Sequence, residues 1–124
     1  MKKTPLKRIG KNPIRKLKLK ADIALQNFYR TKGEKCLICI KPAELQHHFI
    51  LKSMCNRLRY EKINLIPLCK SCHFRAHFGN SNFIGGQIVY IKGKKWLDKI
   101  RRLEKEHISL TRKYLEEIIE RYKI

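Results

Sequence analysis

A chain of 124 residues allows one domain with a limited core. Its 30 Lys and Arg against 10 Asp and Glu leave a formal charge of +20, far beyond what solubility requires, so the expected partner is a polyanion. No run approaches the ~20 apolar residues of a spanning helix, and the N-terminus lacks the apolar stretch and cleavage site of a signal peptide. The expectation is a cytoplasmic protein with no membrane partner.

Residues 1–13 read as a basic flexible arm, because Pro5, Gly10 and Pro13 interrupt a run of cations. The first 20 residues hold nine Lys or Arg and no acid. From Ile14 the pattern changes: Leu17, Ala21, Ala24, Leu25 and Phe28 recur at helical spacing, which predicts an amphipathic helix to about Arg30, stopped by Gly33. Next comes "CLIC" at 36–39, a tight knuckle. "ELQHHFIL" (44–51) reads as a strand, "KSMCNRLRYEKI" (52–63) as a basic connection, and "NLIPLC" as a short edge strand carrying Pro67. A helix is expected from about Ser71, ending before "GNSNFIGG", while 87–93 fits strand or helix equally. Trp96, Ile100 and Leu103 mark one further helix. Leu110, Tyr114, Leu115, Ile118, Ile119 and Tyr122 mark a second. The expected organisation is an arm at 1–13, a core with its leading helix at 14–92, and a C-terminal helical extension at 93–124.

Five cysteines in a chain expected to be intracellular read as metal ligands before disulfides. Cys36, Cys39, Cys69 and Cys72 form two CxxC pairs. Two residues between thiolates let one turn present both sulfurs to a tetrahedral ion, and thiolates suit zinc. Four thiolates fill that ion's shell, so this zinc is structural and staples a domain with a small core. Cys55 is left over and reads as a small buried thiol. His107, in the charged stretch "EKEHISL", reads as an ordinary solvated residue.

Four of the five histidines fall in two clusters. His73 and His77 stand at i and i+4 of the expected helix, so they share a face and can bind one ion. His47 and His48 are neighbours on the expected strand and should point to opposite faces. One can complete a three-histidine site, and the other can serve as a general base. Three protein ligands with an open position describe a catalytic metal.

Together, "CLIC…LQHHFI…NLIPLCKSCHFRAH" resembles the HNH endonuclease motif, and its two CxxC pairs are similar to the zinc-stapled branch of that superfamily. The resemblance covers about a third of the chain, Cys36 to Asn80. It implies an α+β fold: a small ββα-metal core with a four-cysteine zinc site, flanked by an N-terminal basic helix and C-terminal helices. It also implies roles. His48 matches the general base, Asn64 the residue that braces the loop and orients that base, and His47, His73 and His77 the ligands of one catalytic divalent ion. That ion would be magnesium, manganese, nickel or zinc, and three imidazoles favour the last two for binding. The implied reaction is hydrolysis of a DNA phosphodiester, leaving a 3′-hydroxyl and a 5′-phosphate. The segments "KLKLKADIALQNFYRTKGEKCLIC", "RLRYEKINLIPLC" and "HFGNSNF…IKGKKWLDKI" further resemble phage NinG-type recombination nucleases, although His73 stands where such proteins often have Asn. This second resemblance implies a phage or bacterial-host setting and branched DNA.

Around the expected site, Lys52, Arg57, Arg59 and Lys62 lie between base and Asn, and Lys16, Lys18 and Lys20 lie on the leading helix. All seven are candidates for backbone phosphates. No base-reading element stands out, so affinity should fall steeply with salt. A homodimer through the stripe Leu110 to Tyr122 would set two sites across a junction. The alternative keeps that stripe on the protein's own core. The competing function is a non-catalytic zinc-containing nucleic-acid-binding module, which needs the cysteines and the charge but not the histidine clusters. A metalloprotease would need HExxH, which is absent.

Overall fold

The structure, a computed structural model, describes residues 13–124. Helix α1 (Pro13–Arg30) opens on Pro13, whose fixed φ and missing N–H suit a first helical turn. Pro13 therefore belongs to the helix and not to the arm expected over 1–13, the rest of which lies outside the described residues. Gly33, at φ +66°, takes the left-handed conformation that ends the segment. The architecture is α+β, with a single two-stranded sheet among the described residues. Strand β1 (Leu45–His48) is shorter than the span expected, and β2 (Leu65–Leu68) runs antiparallel to it after a short 3-10 helix, Lys62–Asn64.

The register pairs Leu45 with Leu68, Gln46 with Pro67, His47 with Ile66 and His48 with Leu65. Pro67 has no N–H to give a ladder and is tolerated because both strands are edges. Gln46, opposite it, turns its main chain to the open side of β1. There the Gln26 side chain of α1 meets both groups: Gln46 N donates to Oε1 at 2.9 Å, and Nε2 donates to Gln46 O at 3.0 Å. A helix side chain thus covers a strand edge and fixes α1 beside the sheet.

Helix α2 (Lys70–Phe78) follows β2 directly. That helix ends before "GNSNFIGG", as expected, and after Gly79 and Asn80 a further helix, α3, runs Ser81–Lys92, so 87–93 resolves as helix up to Gly93, at φ +95°. The reason is tertiary. Ile84 and Ile88 are fully buried against Cys36, Ile66 and Leu68, and that burial outweighs the unfavourable helix propensity of Gly85 and Gly86. Helix α4 (Lys94–Glu104) sets Trp96 against Phe49 and donates Trp96 Nε1 to Ile63 O at 2.9 Å, closing over the loop between the strands.

The last helix, α5 (Arg112–Arg121), is capped by Thr111, whose hydroxyl accepts from Tyr114 N at 3.1 Å. It is not appended to the core. Leu115, Ile118 and Tyr122 are buried against Ala21, Leu25 and Tyr29 of α1, and Tyr122 Oη donates to Tyr60 O at 2.7 Å. The two ends of the described chain therefore share one hydrophobic core, and the stripe considered for dimerisation is covered within the same molecule. No helix among the described residues is long and apolar enough to cross a membrane.

Candidate functional site

The two CxxC pairs meet between the knuckle and the start of α2. Their four Sγ atoms lie within 4.8 Å of one another, and Cys39 Sγ is 3.5 Å from Cys69 Sγ. Zinc–sulfur bonds of ~2.3 Å in a tetrahedron set sulfurs roughly 3.8 Å apart, so the cluster is suited to one zinc ion. Burial raises the Cys36 thiol, but backbone N–H groups of Cys39, Cys69 and Ile38 outweigh it and bring the pKa down to about 7. Burial pushes Cys72 up to about 12, although Arg75 Nη2 donates to its Sγ at 3.3 Å. Cys69 also caps α2, since its Sγ accepts from Cys72 N at 3.4 Å. The knuckle costs some backbone strain, because Ile40 sits at φ +60°.

Helix α2 then presents His73 and His77 one turn apart, and β1 brings His47 against them. The His47 ring centroid is 5.3 Å from that of His73 and 5.1 Å from that of His77, and the ligand nitrogens of all three lie within 4.8 Å of one another. His73 Nε2 and His77 Nε2 are 3.0 Å apart. His47 is buried, and its Nδ1 has no hydrogen-bond partner among the described residues. An orphaned buried nitrogen costs ~1–3 kcal/mol, and one packed against two further imidazoles is the pattern a metal ligand leaves. Burial, helped by repulsion from His73 and His77, holds the His47 pKa down to about 3, and burial followed by His77 lowers His73. Three imidazoles whose ligand nitrogens converge in this way are a donor set that fits a divalent ion.

His48 points to the other face of β1, as strand alternation requires, yet it is not cut off from the cluster. A cleft of about 330 Å³ is lined by His48, Lys52 and Ser53 together with His73 and His77, a volume at the lower end of ligand pockets. His48 Nε2 lies 2.9 Å from Arg59 O. A carbonyl only accepts, so Nε2 carries the hydrogen and Nδ1 keeps its lone pair. Burial, opposed by the Arg59 carbonyl and reinforced by Lys52, brings the His48 pKa down to about 4.

Asn64 is fully buried, and the hydrogen bonds of its side chain go to the loop rather than to the His48 ring. Its Oδ1 accepts from Ile50 N at 2.8 Å, and its Nδ2 donates to Ile50 O at 3.0 Å and Leu58 O at 3.3 Å. It therefore ties both ends of the loop whose next residue, Arg59, orients His48. Cys55 lies in the same loop, buried against Leu58 and Ile100.

The candidate cations divide. Arg59 is buried, its guanidinium gripping Asp22 of α1 through Nε (3.2 Å to Oδ1) and Nη2 (2.8 Å to Oδ2), with Nη1 donating to Lys52 O at 3.1 Å. The expectation that Arg59 meets phosphate is corrected: its charge is neutralised inside the fold. Arg57 is largely engaged as well, with Glu106 at 2.8 Å and Glu61 at 3.8 Å. Lys52 and Lys62 remain exposed, with long ion pairs to Asp22 (3.6 Å) and Glu34 (3.7 Å), and Lys62 Nζ also lies 4.9 Å from the Tyr29 ring centroid. Lys16 and Lys20 are exposed on α1 and Lys18 is half-buried. The sequence reading missed Asp22, although it is the one acid in the first 33 residues, a lone charge in a basic segment.

No family model matches the chain, and no solved structure matches it. A mitochondrial DNA mismatch repair protein, a mutS homolog from Sarcophyton glaucum, is 38% identical over 56 residues. That match covers 42% of this chain and 6% of the relative, so the chain spans a small fraction of that protein's length.

Proposed function

We propose that this protein is a metal-dependent DNA endonuclease of the HNH type. The observation that carries the reading is the shared cleft, where His48 lies beside His73 and His77 of the three-imidazole cluster. DNA as the substrate is supported by the charge of +20 and by the relative's name, which assigns it to DNA mismatch repair. In this reading Nδ1 of His48 takes a proton from water, the water oxygen attacks the scissile phosphorus, and the 3′ oxygen departs. His47, His73 and His77 would hold a divalent ion, which would supply positive charge at the scissile phosphate. The Arg59 carbonyl holds the imidazole's tautomer and direction, Asn64 holds the loop, and Lys52 and Lys62 meet neighbouring phosphates. The four cysteines would hold a structural zinc.

The competing reading, a zinc module that binds nucleic acid without cutting it, accounts for the cysteines and the charge. It gives no reason for the orphaned His47 nitrogen beside His73 and His77. A nicking assay on supercoiled, linear and branched DNA, with magnesium, manganese, nickel and zinc in turn, separates the two. Metal-dependent nicks with 5′-phosphate ends are expected, and binding with no cleavage under any ion would leave the module.

Asp22 gives a further expectation. Its grip on Arg59 steadies the carbonyl that aims His48, and small misplacements of a catalytic group cost up to ~100-fold. Asp22→Asn should slow single-turnover cleavage at saturating protein by about 10- to 100-fold, with zinc content unchanged. An unaltered rate would uncouple α1 from the chemistry.

A further inference from the structure

We propose that the outer face of α2 is a stacking platform for unpaired nucleobases, seating single-stranded DNA beside the three-histidine cluster. The inference rests on the DNA reading above and names the part of the substrate that α2 recognises. His73 and His77 share one face of the helix. Phe74 and Phe78, each one position further on, repeat the same i, i+4 spacing about 100° around the axis. Their rings form a tilted pair with centroids 5.0 Å apart, and the residues remain 62% and 76% exposed. Phe83, at the start of α3, is exposed as well. Burying such a side chain is worth ~1.5–3 kcal/mol, so an exposed phenylalanine pair signals a binding surface. The Phe78 ring lies 6.1 Å from the ring of His77, beside the place of the scissile phosphate in the proposed reaction.

Charge selects the occupant. Residues 62–97 contain six Lys or Arg and no Asp or Glu. The acid that touches this helix is Glu44, whose Oε1 accepts from Lys70 N at 2.9 Å. A second copy at +20 would be repelled, and an apolar protein partner gains nothing from the surrounding cations. DNA satisfies the cations, and only unpaired bases expose the flat apolar faces that phenylalanine rings stack on. Duplex keeps those faces inside its own stack. Aromatic side chains within a basic groove are the usual means of holding single strands without regard to sequence.

The test compares wild type with Phe74→Leu/Phe78→Leu and with Phe78→Trp. Binding to a single-stranded oligonucleotide and to a fully paired duplex is measured at physiological salt with no divalent ion added, and zinc content is checked for each protein. The exposed double substitution should leave folding intact and weaken single-strand binding by about tenfold for each stack lost, with duplex binding within twofold. Phe78→Trp should keep or tighten single-strand binding. A 5-iodouracil placed in the unpaired strand should photocrosslink to the peptide holding Phe74 and Phe78. Single-strand binding unchanged in the double variant would overturn the platform. So would loss of self-association in that variant with DNA affinity intact, which would make the face a contact between copies. Wild type that binds neither DNA form would overturn both the platform and the DNA reading.

Discussion

His48→Ala is expected to lower single-turnover cleavage by about a hundredfold to ten-thousandfold, the range for loss of a general base. Zinc content and DNA affinity should stay near wild type. The ring is not one of the three clustered imidazoles, and among the described residues its hydrogen bond is to the Arg59 carbonyl. Removing it leaves that carbonyl to water at the cleft and takes no ligand from either metal cluster. Because Nε2 is committed to the carbonyl, the missing function is a lone pair at Nδ1, so added imidazole should restore part of the rate. Cleavage by His48→Ala at close to the wild-type rate would remove this residue from the mechanism.

Equally large, but different in kind, is the separation expected between the two clusters. Ser at Cys36, Cys39, Cys69 or Cys72 should lose zinc and the cooperative unfolding transition together. The binding energy of a structural zinc site is folding energy, on the order of 10 kcal/mol, and these sulfurs sit inside the cluster of Ile66, Leu68, Ile84 and Ile88. Cys69 would be the most damaging, since it also caps the helix that carries His73 and His77. Ala at His73 or His77 should leave a folded, zinc-containing protein with no cleavage, because both side chains lie on the accessible side of α2. Elemental analysis, a denaturation curve and the nicking assay on the same preparations read all three quantities. Folded, active cysteine variants alongside unfolded histidine variants would reverse the assignment.

These two clusters were legible in the sequence because their spacing is local. CxxC is one turn of chain and HxxxH is one turn of helix, so the sequence alone dictates that each pair converges. The same holds for the amphipathic stripe of α1, whose buried Ala21, Leu25 and Tyr29 follow helical spacing, and for the alternation that turned His47 and His48 to opposite faces of β1. The excess of positive charge was equally plain from the count of cations.

What only the tertiary structure decided depends on pairs distant in the chain. Helix α3 forms across Gly85 and Gly86 because Ile84 and Ile88 find a core built by the knuckle and β2, which no local propensity reports. Arg59 reads as a phosphate contact until Asp22, 37 positions earlier, is brought against it, after which burial and a bidentate ion pair commit it to the interior. The stripe from Leu110 to Tyr122 fits a dimer or a core equally by periodicity, and α1 claims it. The tautomer of His48 is set only by a main-chain carbonyl 11 residues away. The spacing of residue types determines which groups can act together. Which of them point outward, and which are committed to holding the fold, is settled by long-range burial and charge pairing, because a buried charge must find its partner wherever the chain supplies one.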